Sequence, residues 1–208
     1  MGRLKDKIAV IRVKNTLGKL SHTHQGFAFH VNNSDYEKEG PETDSVLITK
    51  RCTYIITINN YQGSINGKQN EPNWYQTKKY RNNNNNNVKG LHFKSKIENT
   101  QFLNPVLHNM ERIKKIKESF PTLDNLVFYN LVVFPKNTDI GNVAVNKHGV
   151  LVIKHRELKS IIDEVEARAA ISITKDSLME LKRQIMHTYN NSSLFLTTNL
   201  KNAKRDSK

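Results

Sequence analysis

The chain has 208 residues, enough for one domain with a sizeable hydrophobic core. Its formal net charge of +14 favours a polyanionic partner, with nucleic acid ahead of an anionic membrane surface. Cys52 is the only cysteine, which excludes an internal disulfide or a cysteine-based zinc site and fits a reducing compartment. No apolar run approaches the ~18 residues of a membrane span and no signal-peptide pattern opens the chain, so the predicted location is the cytoplasm.

In the first half, the spacing of apolar residues predicts a helix over 4–20. Strands are predicted over three segments, 26–32, 44–49 and 53–59. The last two strands are separated so closely that they form an antiparallel hairpin. Asn66-Gly67 predicts a two-residue turn, Trp74 and Tyr75 are expected to pack over the sheet edge, and six consecutive asparagines predict a loop over 81–90.

The second half alternates more regularly between helix and strand. Asn104-Pro105 predicts a helix start, with Asn as N-cap and Pro at the first helical position, and Pro121 ends that helix. Two strands and two helices follow, at 126–134, 149–155, 157–165 and 175–189. Helices before and after a central sheet predict an α/β layered domain, and the basic tail, 199–208, is expected to fray.

The hairpin segment carries an unusual set of residues. Asp44 stands thirteen residues before Thr57, and Asn60, Tyr61 and Gly63 follow. This resembles the central motif of the nuclease-related domain (NERD) family of the PD-(D/E)xK nuclease superfamily, in which an Asp opens one strand and the next reads apolar-apolar-Glu-x-Lys-Asn-Tyr-x-Gly. Other similarities follow in the same order over roughly residues 40–165, namely Ile65, Gly67, Trp74, Asn104-Pro105-Val106-x-His108-Asn109, Val132-Val133-Phe134 and Leu158.

The resemblance implies a three-layered restriction-endonuclease-like core, a mixed sheet flanked by helices, with a C-terminal helical extension. It assigns residues 1–167 to a NERD-like domain and leaves 168–208 as a C-terminal helix and basic tail. The activity it implies is Mg²⁺-dependent cleavage of nucleic acid.

Two catalytic positions of the family pattern are changed in this chain. Thr57 stands where the family has Glu, and Asn59 stands where it has Lys. Val10 aligns with an acidic position on the family's first helix. Mg²⁺ is held by carboxylates, waters and phosphates, so Asp44 is the one motif carboxylate left to bind it. An Asn amide cannot exchange a proton near neutral pH, as a lysine in a nuclease site does.

Three hypotheses follow. The leading one is a NERD-like domain with impaired catalysis that still binds DNA or RNA. The first alternative is an active metal-dependent nuclease with relocated carboxylates, for which the candidates are Asp35, Glu37, Glu39, Glu42 and Glu71. The second alternative is a protein-interaction or regulatory module.

Several further residues have two readings each. His22 and His24 have a metal-binding spacing if they lie on a strand, or else belong to a solvated turn. Asn104 and Asn109 either meet phosphate at a helix N-terminus or serve the helix as caps. His108 is either a catalytic base or, more commonly at such a position, a surface or capping-region residue. His30 either reaches the motif or packs normally.

Basic and aromatic residues are interleaved after the Asn66-Gly67 dipeptide. Lys78, Lys79 and Arg81 lie among Trp74, Tyr75 and Tyr80. This is either a nucleic-acid footprint or a solvated loop anchored by its aromatic side chains.

Overall fold

The computed structural model describes residues 2–31, 42–81, 95–123 and 125–191. The helices are α1 Gly2–Thr23, α2 Pro105–Ser119, α3 Leu158–Arg168 and α4 Lys175–Asn191. The strands are β1 Phe27–Val31, β2 Glu42–Ile48, β3 Cys52–Asn59, β4 Ser64–Lys68, β5 Asn73–Arg81, β6 Ser95–Leu103, β7 Val127–Phe134, β8 Asp139–Ala144 and β9 Val150–Lys154. All four predicted helices are confirmed. No described helix is long and apolar enough to span a membrane.

The first sheet has the strand order β1-β2-β3-β7-β9. The predicted hairpin is confirmed, since β2 pairs antiparallel with β3 from Ile48 opposite Thr53 to Glu42 opposite Asn59. Strand β7 pairs parallel with β3, and β9 pairs parallel with β7. Every residue of β3 is buried, which agrees with the continuous apolar runs expected of strands covered on both faces.

Helices cover both faces of this sheet, so the predicted three-layered α/β fold is confirmed. On one face Ile56 and Ile58 pack in a cluster with residues of α1 and α3, including Leu17 and Leu158. On the other face Ile55 packs with residues of α2 and α4. The predicted C-terminal helix contributes three buried side chains to this second cluster, Leu178, Leu181 and Ile185. The proposed division at residue 167 stays a prediction.

A second, four-stranded sheet was not predicted, and it corrects two expectations. Its order is β6-β5-β4-β8. Asn66-Gly67 is not a turn but lies within β4. Trp74 does not cover a sheet edge; it lies within β5 and its side chain is fully buried. It packs with Tyr61, Ile65 and Phe102 in a third cluster between the sheets.

Gly67 is required by the packing of Trp74. A Cβ at position 67 would lie 2.3 Å from Cγ and Cδ1 of the indole ring. The ring is held in place because its Nε1 donates a hydrogen bond to the Lys68 carbonyl at 3.0 Å. A glycine within a strand therefore marks close approach of a side chain, not a turn.

Several predicted features lie outside the described residues. They are the asparagine run 82–87, the basic tail 199–208, and Asp35, Glu37 and Glu39. At Glu42, Asp44 and Arg81 the backbone is described and the side chain is not.

We expect Gly67→Ala to lower the free energy of unfolding by about 1–3 kcal/mol, because the methyl group forces the buried indole out of place. Gly18→Ala is the matched control, since a Cβ there meets nothing within 4 Å. Gly18 is exposed in α1, so alanine should stabilise the protein by about 0.5–1 kcal/mol. Thermal unfolding measures both variants. Equal melting temperatures for Gly67→Ala and the unmodified chain would contradict the packing argument.

Candidate functional site

The pairing of β2 with β3 places the motif positions beside one another. The backbone of Asp44 lies directly opposite Thr57, and that of Glu42 lies opposite Asn59. Thr57 and Asn59 are two residues apart on β3, so they share the face that α2 covers. Both side chains are 0% exposed.

Thr57 is held in a buried network of amide side chains. Its hydroxyl donates to Oδ1 of Asn109 on α2 at 2.7 Å. The Asn109 amide donates to Oδ1 of Asn130 on β7 at 2.8 Å and approaches the Leu131 carbonyl at 3.2 Å. Asn130 in turn donates to the Val106 carbonyl at 2.8 Å. Among the described residues, the network therefore joins β3, β7 and α2 through uncharged side chains and backbone carbonyls.

A comparison with protein families matches residues 14–135, more than half of the chain, to the nuclease-related domain. The chain belongs to the nuclease-related domain family. Comparisons with curated proteins and with solved structures found no match. The matched segment begins within α1 and ends after β7, so it contains the hairpin motif and all of α2.

Asn104 has a structural role in this NERD domain. Its Oδ1 accepts from the Val106 backbone at 2.9 Å, which is the predicted N-cap. Its amide donates to the Glu71 and Gln69 carbonyls at 2.6 and 2.9 Å. Asn104 and Asn109 are both buried, so the described geometry supports capping and packing instead of phosphate contact. His108 is half-buried in the first turn of α2.

The segment after β3 connects the two sheets of the NERD domain. The Tyr61 ring stacks on Phe102 with ring centroids 4.1 Å apart. Gly63 has φ of +92°, and a Cβ there would lie 2.4 Å from the Thr77 carbonyl oxygen. Asn60 is half-buried at the start of this segment. Local packing therefore explains why Tyr and Gly occupy positions 61 and 63 of the family motif, without reference to catalysis.

Asn59 differs from Thr57 because its amide is left without a partner. Neither its Oδ1 nor its Nδ2 has a hydrogen-bond partner among the described residues. A buried, unpartnered polar group costs about 1–3 kcal/mol. Thr53 on the same strand is also fully buried, and its hydroxyl has no partner in the described part of the chain.

Of the two readings of His30, the structure supports ordinary packing. His30 pairs with Ser45, which lies opposite Ile56 on the face that α1 covers, whereas Thr57 faces α2. Its Nδ1 lies 2.7 Å from the Ser45 hydroxyl. Burial, aided by nearby Lys14, lowers the pKa of His30 to about 4, so the ring is neutral at physiological pH.

The two other histidines do not form a strand pair. His22 lies in the last turn of α1, and His24 follows the helix with its Nε2 2.8 Å from Oδ1 of Asp163. Across the described ranges no group of three or more His, Cys, Asp or Glu side chains is placed to hold a metal ion.

Of the remaining candidates, Glu71 is engaged locally. Its carboxylate accepts from the Lys68 backbone at 3.1 Å and pairs with the Lys68 ammonium at 3.2 Å. Lys78 and Lys79 lie on β5, not in a loop, with Lys78 half-buried and Lys79 exposed.

Sequence reasoning missed Asn130. It is buried within the run Leu126–Phe134, which was read only as an apolar strand. A single carboxamide in such a run was the available signal, because a buried amide needs a hydrogen-bonding partner.

We expect Thr57→Val to lower the free energy of unfolding by about 1–3 kcal/mol, since it leaves the Asn109 carbonyl oxygen without its donor. Thr53→Val is the matched control on the same strand, because it removes a buried hydroxyl that has no described partner. That control should be neutral or stabilising. Urea denaturation compares the two, and equal losses would show that the Thr57 hydrogen bond contributes nothing.

Proposed function

We propose that this NERD domain binds DNA or RNA and does not cleave it by the metal-dependent mechanism of PD-(D/E)xK nucleases. The observation that carries the proposal is the buried network at Thr57, whose described partners are amide side chains. At that family position a carboxylate would bind a cation, whereas the Thr57 hydroxyl donates a hydrogen bond to Oδ1 of Asn109.

The described side chains do not fit Mg²⁺. A hard divalent cation is bound by carboxylates and other oxygens and keeps several of its waters. The Thr57 hydroxyl is uncharged and already engaged, and the Asn59 amide is fully buried. Neither group offers a charged oxygen in a space that admits hydrated metal.

The proton chemistry is affected as well. Lysine at the family position orients or activates the attacking water and offsets phosphate charge, whereas an amide does neither by ionisation. Loss of a single such group commonly reduces the rate by about 10²- to 10⁴-fold. The effects of two substitutions within one active site do not simply multiply. Replacement of both the metal-binding glutamate and the lysine nevertheless favours loss of detectable cleavage.

Support for a nucleic-acid partner comes from charge. The chain carries a formal net charge of +14. On β5 and β6, Lys78, Lys79 and Lys96 are accompanied by one described acid, Glu98. A basic excess on an extended strand pair suits contact with phosphates.

We expect the unmodified protein to show no Mg²⁺- or Mn²⁺-dependent cleavage of single- or double-stranded DNA or RNA above a no-protein control. The double variant Thr57→Glu with Asn59→Lys restores the family charges opposite Asp44. Its melting temperature should rise with added Mn²⁺ more than that of the unmodified chain, because a ligand that binds the folded state stabilises it.

A second candidate function is an active nuclease that uses a relocated acid. Its specific support is the strand register, which sets Glu42 opposite Asn59 and Asp44 opposite Thr57. Two acidic residues two positions apart on a strand lie on one face. Metal-dependent cleavage by the unmodified protein that is lost in both Glu42→Gln and Asp44→Asn would establish this candidate and refute the leading one. Gln62→Ala, an exposed control, should leave any such cleavage unchanged.

We expect nucleic-acid binding at ~50 mM salt that weakens steeply as salt rises, because bound Lys and Arg displace condensed counterions. Fluorescence anisotropy with labelled DNA and RNA gives the slope of log affinity against log salt. A contact with Z phosphates predicts a slope of about −0.9Z for duplex DNA and about −0.7Z for single strands. Absence of binding at low salt would favour the protein-interaction alternative.

A further inference from the structure

The second sheet has one buried face and one face that no described element covers, here called the open face. Along β4 and β5, the residues Ile65, Gly67, Trp74 and Gln76 point inward and are buried. The residues between them point to the other side, as alternation along a strand requires. No described helix or strand packs on that outward side in the three core clusters.

The centre of the open face is a row of uncharged hydrogen-bonding side chains. The strand registers align Asn142 with Asn66, Asn66 with Tyr75, and Tyr75 with Gln101. All four are exposed, and Tyr75 retains 48% of its accessible surface. With strands about 4.8 Å apart, the row spans about 14 Å. No hydrogen bond joins these four side chains to another described residue.

The neighbouring row differs because its side chains bind one another. The Ser64 hydroxyl donates to Oδ2 of Asp139 at 3.2 Å, and the Thr77 hydroxyl donates to Oδ1 of Asn99 at 2.9 Å. The row through Tyr75 is therefore the part of the face whose donors and acceptors are uncommitted.

The charges on the open face are at its ends. Lys79 is exposed two positions beyond Thr77, towards the end of the β5–β6 strand pair, and Lys68 lies at the end of β4. Lys68 is paired with Glu71, and such exposed pairs contribute little net energy. Asp139 is the described acid on this face.

We propose that this open face binds single-stranded nucleic acid, with an unstacked base on the Tyr75 ring, base edges at Asn66, Gln101 and Asn142, and phosphate at Lys79. The inference rests on the proposed nucleic-acid function, and it specifies a single-stranded ligand and the surface that binds it. Aromatic side chains on an open sheet are a general means of stacking bases, and carboxamides match the donor and acceptor pairs of base edges.

Two other occupants fit the face less well. In a duplex the base faces are stacked on neighbouring base pairs, so no base is available to stack on an exposed tyrosine at the centre of a sheet. The buried core of a protein–protein interface is more apolar than the rest of the surface. Here the exposed aliphatic residues, Ile97 and Leu103, lie six residues apart on the edge strand β6, about 20 Å from each other.

The test uses the full chain with labelled oligo-dT and oligo-U of about 15 nucleotides and a duplex of the same length. Tyr75→Ala should weaken single-strand binding roughly 5- to 150-fold, the range that corresponds to loss of one base–aromatic stack. Tyr75→Phe should retain binding. Lys79→Ala should reduce the magnitude of the salt slope by about 0.7.

Tyr80→Ala is the matched control. Tyr80 is the same residue type on the same strand and is 44% exposed, but it lies on the opposite face. It should leave the affinity within about twofold, and melting curves establish that each variant is folded.

The outcomes separate this inference from the proposed function. Nucleic-acid binding that Tyr75→Ala leaves unchanged, or that is confined to the duplex, would overturn the open-face assignment and leave the proposed function standing. No binding to any of the three probes would overturn both. Self-association of the chain that is abolished by Tyr75→Ala would assign the face to a second copy instead.

Discussion

The carboxamide of Asn109 is the group on which the arrangement of this domain depends. It enters the layer between α2 and the first sheet, where its oxygen accepts from Thr57 and its amide donates to Asn130. A buried amide that lost these partners would cost about 1–3 kcal/mol for each unsatisfied group. Apolar contacts alone tolerate sliding and rotation, whereas these hydrogen bonds fix the position of α2 on β3 and β7.

The same helix also positions the second sheet. Five residues before Asn109, Asn104 caps α2 and donates to the turn between β4 and β5. Tyr61 and Gly63 complete the connection on the other side, because the ring stacks on Phe102 and the glycine lets its backbone approach Thr77. Asn104, Tyr61 and Gly63, which the family pattern includes, therefore connect the two sheets. Their contacts fix the orientation of the second sheet and of its open face.

The first sheet could be predicted from sequence and the second could not, for one physical reason. Strands such as β3 and β7 are buried on both faces and read as continuous apolar runs, while β5 and β6 alternate a few buried residues with Asn, Gln, Thr and Lys, which resemble loop residues. Gly67 was wrongly predicted to lie in a turn, because the contact that requires glycine there, with the ring of Trp74, is a tertiary contact that the local sequence does not show. The short hairpin predicted that Asp44 can face Thr57, and the structure gives the exact register. The contacts of Thr57 with Asn109 and of Asn109 with Asn130 could not be predicted, because they depend on how α2 packs on the sheet.

Under the proposed function, the two changed motif positions are one linked change. A glutamate at 57 beside Asp44 brings two like charges together, and the pair needs a cation to be stable. Threonine removes that requirement and satisfies Asn109 without metal. A lysine at 59 would then be a buried ammonium without the glutamate at 57 and the substrate phosphate that it serves in the family pattern, which is more costly than a buried amide. Asn59 places a neutral polar group at this position. Burial of its unpartnered amide costs less free energy than burial of an ammonium group would.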